Sequence, residues 1–169
     1  HYLCTMTLDN YNQIVDLIKR EVILSIGCTE PMAVSLCVAK ACETLGTRPE
    51  KIEVALSANI FKNAMGVGIP NSGMTGLPIA VALGVVAGRS EYGLEVLRDV
   101  DSAAVERAKA LLEEVEPSIF VTDESDDILF IKVVVEAGNN SAEATISGTH
   151  TNFSAIRRNG VDIASSKAE

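Results

Sequence analysis

The chain has 169 residues with 14 Lys plus Arg against 23 Asp plus Glu, a formal charge of −9, and 47% hydrophobic residues. That length builds one sizeable core without disulfide staples and leaves no room for a second full domain. An acidic balance without a Lys/Arg cluster argues against a nucleic-acid or anionic-membrane surface, because nothing would neutralise phosphates.

Aromatic residues make up 4% with no Trp, so the predicted core is packed from small aliphatics. Its longest near-apolar runs, residues 31–39 and 77–87, fall short of the roughly 18 to 20 residues that a membrane span needs and read as buried helices. The first residues have neither a basic start nor a continuous apolar stretch, so no signal peptide is expected. Residues 1–5 precede Met6 and read as a leader, 6–160 as one domain and 161–169 as a tail. Cys4, Cys28, Cys37 and Cys42 fit no zinc spacing, and Cys37 and Cys42 fall within one helical run. A reduced, cytoplasmic compartment is the expectation.

From residue 9 or 10, Tyr11, Ile14, Val15, Ile18 and Val22 keep the spacing of an amphipathic helix. The pattern breaks over residues 25–29. Thr29 then offers an N-cap and Pro31 suits the first turn of a helix running to about Leu45 and Gly46. Residues 51–56 alternate with period two and predict a strand with Ile52, Val54 and Leu56 inward. Residues 57–75 hold Asn59, Asn63, Gly66, Gly68, Pro70, Asn71 and Gly73, and predict a long ordered loop. A helix over 76–87 follows, closed by Gly88. Another starts near Asp101, with Val105, Ala108, Leu111, Leu112 and Val115 on one face, and stops at Pro117. The period then changes to two, giving strands over 118–121, 128–136 and 142–147. Gly138, Asn139 and Asn140 form the last hairpin turn, and a final strand covers 152–157. Four or five helices followed by an antiparallel meander predict an α+β domain, buried and amphipathic helices packed on a mainly antiparallel sheet. A dinucleotide-binding Rossmann reading fails because residues 66–71 lack the third glycine of the fingerprint.

Cys28 lies in a polar break directly before a helix, where first-turn amides favour a thiolate. The bland alternative is a small buried thiol at a tight turn, which spacing alone favours. Cys37 and Cys42 read as core. The 57–75 loop brings amides and Lys62 to a helix start and suits a carboxylate or phosphate, or else is a crossover satisfied by its own Asn side chains. His150, flanked by Thr149, Thr151 and Asn152, has the makings of a substrate contact or proton shuttle, or of a simply hydrogen-bonded histidine. The acidic residues 123–127 read as a solvated turn.

Four stretches carry a resemblance: Gly27-Cys28-Thr29-Glu30-Pro31, then residues 62–70, then residues 73–80, and Gly148-Thr149-His150-Thr151-Asn152. In that order they resemble the N-terminal part of the iron-sulfur-dependent L-cysteine desulfidase and L-serine dehydratase alpha-like family. The resemblance implies β-elimination from L-cysteine or L-serine, giving pyruvate and ammonia, with sulfide from cysteine. It implies Cys28 and His150 as catalytic residues, Cys28 also as a metal ligand, and Lys62, Asn63, Ser72, Gly73, Thr151 and Asn152 at the substrate. It further implies a 4Fe-4S cluster held in a longer protein by a missing C-terminal half, none being expected on this chain alone, and allows a homo-oligomer. Cys28, the 62–73 loop and His150 are expected on one open, partly apolar face. An amino-acid-binding or regulatory module without catalysis is the alternative, and an interface domain completing an oligomer is a third.

Overall fold

The computed structural model describes residues 29–65 and 76–163. The expected helix near residues 10–22, Cys4, Cys28, Ser72, Gly73 and both ends of the chain lie outside them. Helix α1 (Thr29–Leu45) buries every residue from Pro31 to Ala39. Gly46, at φ +80°, ends it in the left-handed conformation that glycine adopts without penalty, and its N–H donates to the Cys42 carbonyl at 2.9 Å. Strand β1 (Lys51–Leu56) turns Ile52, Val54 and Leu56 inward, as its alternation predicts.

The first half of the expected 57–75 loop is instead helix α2 (Ala58–Met65). Ile60, Phe61, Ala64 and Met65 repeat at helical spacing, and Ile60 and Ala64 are buried. That stripe outweighs the turn-forming preference of Asn59 and Asn63, and the first helical bond runs from Phe61 N–H to the Ser57 carbonyl at 3.0 Å. Helix α3 (Gly76–Ala87) is apolar almost all round and packs on α1. After a 3₁₀ segment (Ser90–Glu95), helix α4 (Ser102–Glu114) starts at Asp101, whose carboxylate accepts from Ala104 N–H at 2.7 Å.

Strands β2 (Ser118–Val121), β3 (Phe130–Ala137), β4 (Asn140–Ser147), β5 (Phe153–Arg158) and β6 (Val161–Asp162) complete a sheet of order β2-β1-β3-β4-β5-β6. All neighbours are antiparallel except the parallel pair β1 and β2. The domain is α+β, as expected. The meander is interrupted, however: β1 inserts between β2 and β3, so residues 122–129 must cross its end. Ile128, expected in a strand, lies in that crossing loop, and the sheet runs past Gly160 through β6.

Val54, Val133, Ala144 and Ile156 share one register row and one face, which α1 covers. On the opposite face, next in register, Lys132 pairs with Glu124 (3.2 Å) and Glu143 (3.6 Å), and Arg157 pairs with Glu143 (3.5 Å) and Asp162 (2.7 Å). This chain of charge explains the alternation of β3 to β5, with one face in the core and one in water. Among the described residues no helix is long and apolar enough to cross a membrane.

Candidate active site

The turn from β4 to β5 is built by its own polar groups. Gly148 takes φ +80°, and its N–H reaches the Leu129 carbonyl at 3.1 Å. Ser147 N–H donates to the Asn152 carbonyl (3.1 Å), and the Asn152 carboxamide donates back to the Ser147 carbonyl (3.0 Å). Main chain and Asn152 thus fix the turn, and the His150 ring is left to face outward. It meets Glu30 in the first turn of α1, with Nε2 3.8 Å from Glu30 Oε1 and both side chains partly exposed. An imidazole beside a carboxylate at the wall of a cleft is a constellation for proton transfer to or from a small substrate.

Glu30 and His150 line a cleft of about 540 Å³ together with Asn59 from α2, Gly148, and Asp126 and Asp127 from the crossing loop. Ser57 fixes that loop. Buried to 6% exposure, its Oγ donates to the Ile128 carbonyl at 2.6 Å and accepts from Phe130 N–H at 3.3 Å. The same residue therefore sets the start of α2 and the far wall of the cleft. Lys62 and Asn63 are exposed on α2, and Asn63 donates to the Asn59 carboxamide oxygen at 3.5 Å. Thr151 is exposed, and Asn152 serves the turn. Sequence reasoning did not single out Glu30, Asn59 or Ser57 as site residues; Asp126 and Asp127 lie exposed in a turn between two strands, as expected, and there also edge the cleft. Only Glu30 had a signal, its place inside the Gly27 to Pro31 stretch.

A second cleft, of about 660 Å³, lies between α1, α3 and α4, and Cys42, Arg48 and Glu114 line it. Within it Arg48 is paired to Glu114 at 2.7 Å, and burial pushes the Cys42 thiol up to about 12. Cys37 is more deeply buried, with its thiol pushed up further by desolvation and donating to the Ala144 carbonyl at 3.2 Å. Both cysteines are free. Cys37 is enclosed by the core and its Sγ is engaged by the Ala144 carbonyl, so it is placed as a packing side chain. The described residues also bring no three His, Cys, Asp or Glu side chains together around a metal-sized point.

These thiols make a direct prediction. Peptide-resolved labelling with iodoacetamide at pH 8 should leave Cys37 unmodified in the folded chain and modify it in denaturant, with partly buried Cys42 reacting faster than Cys37; rapid labelling of Cys37 in the folded chain would contradict its burial. The same shifts have a pH consequence. A thiol whose folded value lies above the unfolded value of 9.0 contributes stability that is constant below pH 9 and is lost as pH rises through the folded value.

The chain is 61% identical over 141 residues to a UPF0597 protein of Bacteroides thetaiotaomicron, which covers 83% of this chain and 33% of the relative. A UPF0597 protein of Bacteroides fragilis is 59% identical over 148 residues, covering 88% and 35%. One from Photobacterium profundum is 42% identical over 156 residues, covering 92% and 36%. No family model and no solved structure matches the chain. The chain spans about a third of the length of the relatives it matches.

Proposed function

We propose that the chain is the N-terminal domain of a longer, cytoplasmic β-eliminating lyase resembling the iron-sulfur-dependent L-cysteine desulfidases and L-serine dehydratases. What carries the reading is the 3.8 Å approach of His150 Nε2 to Glu30 Oε1. It joins two of the stretches on which the resemblance rests, from opposite ends of the described chain, at the wall of one cleft.

Elimination needs a base at the α-carbon, and the imidazole of His150 takes the α-proton while Glu30 orients the ring. The carboxylates of Asp126 and Asp127 suit the α-ammonium of an amino acid. Loss of sulfide or water then leaves an enamine that hydrolyses to pyruvate and ammonia. In the family resembled, a cluster assists the departing sulfur or oxygen as a Lewis acid. Cys28 is the ligand that the resemblance implies from this chain, and the remaining thiolates belong to the rest of the longer protein.

The test is an anaerobic assay of the longer protein with L-cysteine and with L-serine, following pyruvate, sulfide and ammonia. Pyruvate is expected with an equivalent of ammonia from either substrate, and with an equivalent of sulfide from cysteine. Calorimetric binding of either amino acid without pyruvate would replace the lyase with a binding or regulatory module. Neither binding nor turnover would overturn both.

A further inference from the structure

We propose that the β2 edge and the Ile128 rim of the cleft are the docking face for the remaining two thirds of a longer polypeptide. The inference rests on reading this chain as one part of such a protein and not on the lyase chemistry.

Among the described residues the exposed large apolar side chains are Phe120 (43%), Val121 (48%), Ile128 (75%), Val161 and Ile163. The first three sit on β2 and the loop that follows it. Val121 is in register with Leu56 at the end of β1, and the Ile128 carbonyl is held by the neighbouring Ser57. They therefore flank the end of the sheet that opens into the cleft, and Ile128 itself lines that cleft.

Among the described residues β2 is an edge strand that pairs with β1 alone. Its Ser-Ile-Phe-Val sequence carries no charge or proline of its own, which leaves Pro117 before it and the carboxylates of 123–127 after it as the only flanking guards. The opposite edge is protected differently: β6 is two residues long, and its Asp162 is tied to Arg157 at 2.7 Å.

Two observations choose the occupant. The relatives match most of this chain yet are about three times as long, so in them a further body of polypeptide accompanies the matching region. A second copy is disfavoured by charge. Residues 123–127 carry four carboxylates beside this edge, of which Glu124 is paired with Lys132, and two copies meeting here would bring like charges together. The segment that fits is extended and apolar with Lys or Arg beside it, adding a strand to the sheet.

Hydrogen exchange on this chain and on the full-length Bacteroides thetaiotaomicron relative tests the proposal. After correction for intrinsic rates, amides of the segment matching residues 118–129 should exchange at least about ten-fold more slowly in the longer protein, with β3 and β4 amides alike in both. Equal rates at that segment would overturn it. So would a dimer of this chain at micromolar concentration that Ile128→Asp dissolves, because a second copy would then own the edge. Ile128→Asp should shift the Tm of the isolated chain by less than about 2 °C, as expected of an exposed side chain. Exchange is read without substrate. A relative that protects the edge but lacks lyase activity removes only the chemistry, and an active relative with an unprotected edge removes only the docking.

Discussion

His150→Ala in the longer protein should lower turnover of the proposed elimination by about 10²- to 10⁴-fold, the range that a positioned general base contributes. The loss should fall on kcat more than on KM, because the ring serves the transition state rather than the resting amino acid. The domain should stay folded, since the turn is held by the Ser147 main chain and the Asn152 carboxamide rather than by the imidazole. Glu30→Gln keeps the shape of the partner and removes its charge, so it should lower kcat less than His150→Ala. Steady-state kinetics beside a thermal melt decide the matter. Full turnover in a folded His150→Ala variant would remove His150 from the chemistry, and an unfolded one would show that the ring is structural.

The fold was legible where one periodicity prevailed. The alternation of β1 and β3 to β5 and the apolar runs of α1 and α3 each report a single environment, and the structure follows them closely. α2 was missed because two signals overlap in eight residues. Its asparagines speak for a turn, while Ile60 and Ala64 speak for a buried helical stripe, and burial decides. Insertion of β1 between β2 and β3 could not be read, because strand order depends on contacts between distant segments that no local pattern encodes. The site divides in the same way. His150 stands out as a lone titratable group in a polar stretch, whereas Glu30 is one residue among five in the Gly27 to Pro31 stretch and only the fold brings it to 3.8 Å from the imidazole. Ser57 gave no local sign at all, because its role is a pair of hydrogen bonds to residues more than 70 positions away.

Gly84→Ala should destabilise the chain by about 1–3 kcal/mol, although alanine is the better helix former by about 1 kcal/mol. The reason is the crossing of α1 over α3. A Cβ on Gly84 would lie 2.9 Å from the Ser35 carbonyl oxygen and 3.1 Å from Val38 Cβ, and backbone cannot swing aside as a flexible side chain would. The contact is pinned from the other side too, since buried Ser35 Oγ donates to the Ala80 carbonyl at 2.7 Å. Removing volume from α1 should cost more. Leu36 is 1% exposed, and Leu36→Ala should cost about 2–5 kcal/mol from lost burial and the cavity left behind. Urea unfolding of the two variants, with unchanged m-values, measures both. A Gly84→Ala chain as stable as the original would mean that α1 and α3 do not approach this closely. The crossing also bears on the site, because α1 carries Glu30 in its first turn. A helix pushed off α3 would move the carboxylate relative to His150, so Gly84→Ala in the longer protein should lower kcat as well as stability while touching no substrate. Supplying Ser35→Gly in the same chain would not restore either, because the clash is with main chain.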